Sequence, residues 1–140
     1  MGGRAMPTIR WVFCVFLAAC GGPADQRVVE WREADRLFIA DGRNGIVRVF
    51  DTRNGPVPCG QLHARLRASV RDMQLDAAAG QLWVLGDDAL YRYDAWLLTL
   101  VDRRALPADE TWQRLEAAEA AAVTLVSAGS RRWRLSAGNG

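Results

Sequence analysis

The stretch QLWVLGDDALYRYD, residues 81–94, decides the fold that the sequence predicts. Two six-residue runs, 81–86 and 89–94, are rich in Leu, Val, Trp and Tyr, and such runs favour β-strands. Asp87 and Asp88 separate them, and aspartate favours turns because its side chain hydrogen-bonds to nearby backbone amides. The stretch therefore predicts two antiparallel strands joined by a tight turn. We expect flanking strands over the residues that immediately precede and follow it, 70–75 and 97–101.

The same order of features occurs earlier in the chain. Apolar runs over 36–41 and 46–51 flank the dipeptide Asn44-Gly45. Asn-Gly is the strongest short-range hairpin signal because both positions of the turn need a positive φ. Residues 36–51 therefore predict a second hairpin, preceded by a short strand over 28–31.

Another Asn-Gly pair, at 54–55, turns the chain again before two prolines, Pro56 and Pro58. Proline cannot donate a hydrogen bond to a strand ladder, so it is confined to edge strands or strand starts. We therefore expect the next strand either to lie at a sheet edge or to begin only at about residue 60.

A third, weaker copy follows, with strands over 121–126 and 131–136 around a turn at 127–130 and no fourth strand after them. Residues 114–118 resemble residues 74–78, forty positions earlier, which favours strand and turn there. Helix propensity favours the alternative, a short helix near 108–120, because this segment is rich in Ala and Glu and follows Pro107, which suits the first turn of a helix. The resemblance between the copies makes the strand the preferred prediction.

Units of 40 to 45 residues with about four strands each are typical of propeller blades. The units resemble the YVTN, NHL and quinoprotein-like repeat families over about residues 28–136. Unit boundaries are expected near 28–66, 67–106 and 107–136. The predicted fold is mainly β, with about three blade-like antiparallel sheets. Closed propellers have four to eight blades. The chain is therefore expected to form a partial β-propeller, an irregular β-sandwich, a ring completed by further chains, or a remnant of a longer propeller.

The N-terminal residues have the pattern of an export signal. Arg4 and Arg10 precede the apolar run 11–19, which is too short to span a bilayer as a helix. The sequence Leu-Ala-Ala-Cys at 17–20 resembles the lipobox of bacterial lipoproteins. The resemblance implies a signal peptide over 1–19, a lipid on the thiol of Cys20, and a tether over 20–27 that ends in the bilayer. Glycine after the cysteine resembles lipoproteins of the outer membrane, so the expected location is the periplasmic face of that membrane.

Charge and composition argue against nucleic acid as a partner. The chain contains 18 Lys and Arg residues and 16 Asp and Glu residues, and none of the basic residues is lysine. Removal of the first 19 residues takes Arg4 and Arg10 with it and leaves balanced charge. A nucleic-acid-binding domain is expected to carry a clustered basic excess.

The sequence predicts no catalytic residues, no metal ligands and no cofactor. His63 is the only histidine, and no other ligand residue lies at metal-site spacing from it. The acidic turns lack the alternating acidic ligands of an EF-hand loop. Asp51 and Asp94 end equivalent strands, which predicts a repeated structural role for them.

The remaining candidates concern a surface. Tryptophans of the repeats are expected mainly in the core, with Trp96 and Trp133 as the best exposed candidates. Together with Arg131 and Arg132 they form the predicted interaction surface. Cys59 is expected to be buried and inert rather than an intermolecular link.

These residues predict a non-enzymatic envelope lipoprotein whose β-repeat domain binds another envelope protein or a second copy of itself. The alternative is a sensory module for a small molecule or glycan. A remnant of a propeller enzyme is the least favoured interpretation.

Overall fold

The computed structural model describes residues 26–41, 44–62 and 69–137 of the chain. In these ranges the chain forms three antiparallel sheets. Sheet 1 contains β1 (Gln26–Trp31), β2 (Arg36–Asp41), β3 (Ile46–Asp51) and β4 (Val57–Gln61). Sheet 2 contains β5 (Asp72–Asp76), β6 (Gln81–Leu85), β7 (Ala89–Asp94) and β8 (Thr99–Ala105). Sheet 3 contains β9 (Trp112–Glu119), β10 (Ala122–Ser127) and β11 (Arg132–Ser136).

Each sheet is a meander in which consecutive strands are neighbours. The predicted fold class is therefore confirmed: the chain is mainly β, with three blade-like sheets and no closed barrel. Among the described residues the regular helical structure is one 3₁₀ turn, Arg32–Ala34, between β1 and β2. No helix in the described ranges is long and apolar enough to cross a membrane.

Both hairpins are confirmed, because strands pair on either side of each Asn-Gly dipeptide, although Asn54 lacks the positive φ of a two-residue Asn-Gly turn. Asn44 uses its side-chain oxygen to accept the backbone N–H of Ile46 at 3.1 Å, and Gly45 has a φ of +65°. Gly55, in the second Asn-Gly pair, has a φ of +93°. The strand that follows contains Pro58 and is exposed along its whole length, as expected for an edge strand.

The alternative of a short helix near 108–120 is wrong, because residues 112–119 form β9. Two carboxylates of β5 hold this segment extended. The backbone N–H of Leu115 donates to Asp72 at 2.7 Å, and that of Ala121 donates to Asp76 at 2.9 Å. Trp112 and Leu115 are also buried against sheet 2. These tertiary contacts override the helix propensity of the alanines, which is worth only about a few tenths of a kcal/mol per residue.

The sheets pack face to face in chain order. One core lies between sheets 1 and 2, and its fully buried members include Phe38, Val49, Leu82 and Tyr93. A second core lies between sheets 2 and 3 and contains Trp83, Leu90, Trp112, Leu115 and Leu125. Sheet 2 is therefore covered on both faces.

The first strands of the three sheets lie next to one another. The guanidinium of Arg27 on β1 donates to the carbonyl of Arg71, just before β5, at 2.8 Å. The guanidinium of Arg71 in turn donates to the carbonyl of Trp112, at the start of β9, at 2.9 Å. The first strands β1, β5 and β9 thus follow one another side by side, which is the arrangement of the innermost strands of neighbouring blades around a propeller axis.

Candidate interaction surface

The structure separates the residues of the predicted interaction surface. Trp96 follows β7 in sheet 2, whereas Arg131, Arg132 and Trp133 lie at or in β11 of sheet 3. Cys20 lies outside the described residues, so its lipidation stays a prediction. His63 also lies outside the described residues.

Trp96 belongs to the seam between sheets 1 and 2. Its side chain is half exposed, and its ring lies 4.6 Å from that of Trp31 and 5.1 Å from the guanidinium carbon of Arg36. Arg36 also donates to the carbonyl oxygens of Ala95, at 2.5 Å, and Trp96, at 2.8 Å. The tryptophan therefore links one sheet to the next, and about half of its side chain stays exposed to solvent.

A groove of about 280 Å³ opens beside Trp96. Asp51 and Arg53 line it with Arg36 and Cys59. Arg53 donates to both carboxylate oxygens of Asp51, and this hydrogen bonding holds the pKa of Asp51 below its usual value and raises the pKa of Arg53. The paired charges of this groove are therefore already engaged.

Cys59 is exposed on β4, so the prediction that it is buried is wrong. A regular strand would alternate buried and exposed positions, but every residue of this edge strand is exposed. A β-bulge between Val49 and Phe50 shifts the pairing of β3 with β4 at this point. The local apolar character of a cysteine cannot reveal such a change of register.

A second groove of about 300 Å³ lies at the seam between sheets 2 and 3. The guanidinium of Arg71 donates to Asp87 at 2.5 Å, and that of Arg103 donates to Asp88 at 3.0 Å. Hydrogen bonds with Tyr91 and Asp88 raise the pKa of Arg103. The acidic turn thus serves to join strands through ion pairs, in agreement with the structural interpretation of these aspartates.

Asp51 and Asp94 do have a repeated structural role. Each carboxylate, at the end of the third strand of its sheet, accepts the backbone N–H two residues further on, at 2.9 Å for Arg53 and 2.8 Å for Trp96. This local bond orders the turn into the fourth strand.

The described residues contain no group of three or more His, Cys, Asp or Glu side chains that could hold a metal ion. Tyr93 is a buried titratable group, and burial raises the pKa of its phenol. Its hydroxyl has no hydrogen-bond partner among the described residues and lies in the core between sheets 1 and 2.

The basic cluster of sheet 3 is partly neutralised. Arg131 lies 3.3 Å from Glu110, and Arg132 lies 3.2 Å from Glu116. Trp133 is half-buried, with its ring 5.7 Å from that of Trp112. It therefore extends the core between sheets 2 and 3 toward the outer edge of sheet 3.

Sequence reasoning left Arg134 out of the interaction surface. Its pairing with Thr124 places it on the side of sheet 3 that faces away from sheet 2, as does the pairing of Arg132 with Val126. Alternation along a predicted strand is the signal that groups these two arginines and separates them from Trp133.

The open side of β11 also presents backbone groups. The carbonyl of Arg131 accepts the N–H of Ser127, and the N–H of Ala137 donates to the carbonyl of Ala121. Hydrogen-bonded and non-hydrogen-bonded pairs alternate in an antiparallel ladder. The backbone groups of Arg132, Arg134 and Ser136 therefore point away from β10. We call this side of the strand the β11 edge.

No protein-family model matches the sequence, and no curated protein matches it either. Solved structures do match in fold. Hsv2 of Kluyveromyces marxianus superposes with a TM-score of 0.58 at 16% identity, over 77% of this chain and 46% of that one. Chaetomium thermophilum Raptor superposes with a TM-score of 0.60 at 12% identity, over 83% of this chain and 12% of that one. Hydrazine synthase of Kuenenia stuttgartiensis superposes with a TM-score of 0.54 at 12% identity, over 77% of this chain and 34% of that one.

The three sheets have the arrangement of a partial β-propeller. The chain spans less than half of the length of each of these three structures. At such low identity the likeness concerns the fold alone. The three sheets correspond to neighbouring blades, and the β11 edge is the outer side of a blade that has three strands within the described residues, where the other two have four.

Proposed function

We propose that this chain is a non-enzymatic binding module of the cell envelope, anchored through an acylated Cys20, whose partial propeller docks another envelope protein. One observation carries the proposal: the regular β11 edge, whose outward backbone donors and acceptors pair with no strand in the described part of the chain, lies beside exposed arginines. An exposed strand edge is a template for pairing with another chain.

The grooves support a scaffold more than a catalyst. Most of their charged side chains are engaged in ion pairs, between Arg53 and Asp51 within one turn and between the acidic turn of sheet 2 and Arg71 and Arg103. A catalytic site needs titratable groups that converge on a reacting atom, with a nucleophile, a base or a metal within reach. An enzymatic remnant is for this reason the least supported of the three interpretations.

Recovery of a partner tests the docking function. The full chain, purified with its partners from detergent-solubilised envelope, is expected to bring down a defined protein in stoichiometric amount. A native mass measurement then distinguishes a heteromeric complex from a second copy of the chain. Purification that yields the monomer alone contradicts the proposal.

Lipid labelling tests the anchor. Wild type is expected to incorporate labelled palmitate and to sediment with outer membranes, whereas Cys20→Ala should lose the label and the sedimentation. Cys59→Ala is the matched control, since this second cysteine is exposed but lies within the β-domain. Equal labelling of wild type and Cys20→Ala would exclude the anchor.

A small-molecule or glycan-binding module is the second candidate. The half-exposed Trp96 ring at the mouth of the first groove favours it, because aromatic faces stack on sugar rings and other flat apolar surfaces. Glycan-array binding that is lost in Trp96→Ala and kept in Trp133→Ala would support this candidate over protein docking.

A further inference from the structure

We infer that the β11 edge binds an extended segment of a partner protein in which carboxylate and apolar side chains alternate. The segment adds to sheet 3 as its fourth strand. This inference rests on the proposed function, that the domain docks a protein, and names the surface and the chemistry of the partner.

The last strands of the three sheets, β4, β8 and β11, differ in how well their free edges could pair with an added strand. The pairing of β3 with β4 contains a register shift, and β4 carries Pro58. The pairing of β7 with β8 contains a register shift between Arg92 and Tyr93. Bulges twist an edge and interrupt its hydrogen-bonding pattern, and edge prolines remove a donor. These devices protect two of the three edges.

The β11 edge has neither device. Its pairing with β10 runs without a shift from Arg132 to Ser136, and the strand contains no proline. The outward N–H and C=O groups of Arg132, Arg134 and Ser136 are therefore regularly spaced for an incoming strand. Backbone hydrogen bonds of this kind supply the affinity of strand addition.

The side chains of β11 specify the partner. Arg132 and Arg134 project on the outer side of sheet 3, and both are exposed. Arg132 shares Glu116 with Arg114, whereas Arg134 has no ion pair among the described residues. Opposite charges on neighbouring strands stabilise a sheet. Carboxylates in the added strand would therefore lie beside these two arginines.

The other side of the strand selects apolar groups. Trp133 and Leu135 pair with Leu125 and Val123, and all four belong to or pack on the core between sheets 2 and 3. Trp133 is only half-buried, so its outer surface is available to a neighbouring side chain. Apolar side chains of an added strand would extend this core.

Peptide binding to the full lipidated chain in detergent micelles provides the test. The probe is a ten-residue peptide of alternating Glu and Val, and the control peptide carries Lys in place of Glu. The Glu peptide is expected to bind at least tenfold more tightly. Binding should slow amide exchange at least tenfold at Arg134 and Ser136, and leave Trp133 and Leu135, which already bond to β10, unchanged.

Two variants separate backbone pairing from charge. Arg134→Pro removes an outward N–H that β10 does not use, and should reduce binding of the Glu peptide at least tenfold. Arg134→Glu should reverse the preference to the Lys peptide. Arg48→Glu is the matched control, because Arg48 is an exposed strand arginine in sheet 1, and it should bind like wild type. If the proline variant fails to fold by circular dichroism, the reversal in Arg134→Glu still decides.

Other outcomes overturn the inference. Equal affinity for the two peptides, or protection of β4 or β8 amides instead, excludes the β11 edge. Binding to phosphatidylglycerol vesicles that is lost in Arg134→Glu but kept in Arg134→Pro, together with no peptide binding, assigns the arginines to a lipid surface instead.

The envelope partner distinguishes the inference from the proposed function. If Arg134→Pro retains the partner as well as wild type does, docking stands and the β11 edge is excluded. If wild type retains no partner while the Glu peptide shows the expected protection, the edge stands and the proposed function is wrong.

Discussion

The two end faces of the blade series differ sharply in chemistry. The face of sheet 1 that points away from sheet 2 carries Leu37, Ile39 and Phe50, which are all buried. The face of sheet 3 that points away from sheet 2 carries Arg114, Glu116 and the two outer arginines of β11, joined in part by ion pairs, around the buried Val126. One end face is apolar, and the other is mostly charged.

Equivalent positions in sheets 1 and 2 explain why the two end faces differ. Leu37 and Ile39 hold the second and fourth positions of the second strand in sheet 1, where sheet 2 has Leu82 and Val84. In sheet 2 those residues pack against sheet 1. The same blade position is therefore apolar in both sheets. On the side of sheet 3 that faces away from sheet 2, charged side chains surround the single buried valine Val126, and such charges favour solvent or a charged partner.

Single substitutions on the two end faces should give the largest difference in the free energy of unfolding. Leu37→Asp places a carboxylate at a position with 0% exposure, and should lower the free energy of unfolding by more than about 4 kcal/mol. Thr124→Asp on the outer face of sheet 3 should change it by less than about 0.5 kcal/mol. Urea unfolding followed by tryptophan fluorescence measures both, and equal effects would refute the contrast between the faces.

Loss of the hydrogen bonds that attach sheet 3 to sheet 2 should have the next largest effect on the free energy of unfolding. Asp76 is 2% exposed and accepts the N–H groups of Ala79 and Ala121. Asp76→Ala leaves both donors without this acceptor, and should lower the free energy of unfolding by about 2–4 kcal/mol. Asp76→Asn keeps one acceptor oxygen and should cost less. Amide exchange is expected to increase first in sheet 3, and a uniform increase across all three sheets would contradict this role.

The turn between β9 and β10 should allow a gain in stability. Ala120 and Ala121 have φ values of +52° and +57°, where an L-residue with a Cβ is strained. The double change Ala120→Asn with Ala121→Gly provides the preferred residues for such a turn, and should raise the free energy of unfolding by about 1–2 kcal/mol. Ala78→Gly, in a turn where only Gly80 has a positive φ, is the control and should not stabilise.

The smallest effect concerns the ion pair beside the first groove. Hydrogen bonds from Arg53 lower the pKa of Asp51 below its usual value of 3.8. The pair therefore contributes stability above pH 3.8, and this contribution is lost as the pH falls through the lower pKa of the folded state. The urea midpoints of wild type and Asp51→Asn should differ slightly at pH 7 and converge below pH 3.8. A difference that grows in acid would reverse the assigned sign.

Much of the candidate site could not be predicted from the sequence, because the surroundings of each side chain depend on which faces of the sheets pack together. Trp96 and Trp133 look alike as exposed aromatic candidates, yet one lies at the seam of sheets 1 and 2 and the other on β11. Chain order alone says nothing of which side of a strand faces the next sheet. Once pairing is known, alternation assigns Arg134 and Arg132 to one side and Trp133 to the other.

The sequence by itself determined the hairpins over 36–51 and 81–94, because turn residues and the apolar runs beside them act locally. Only the tertiary structure decided the segment after Thr111. Its alanines favour a helix in isolation, but Asp72 and Asp76 of the neighbouring sheet bind its backbone amides, and its tryptophan is buried against sheet 2. Contacts between residues more than forty positions apart outweighed a local preference, since burial and satisfied backbone bonds are worth more than helix propensity.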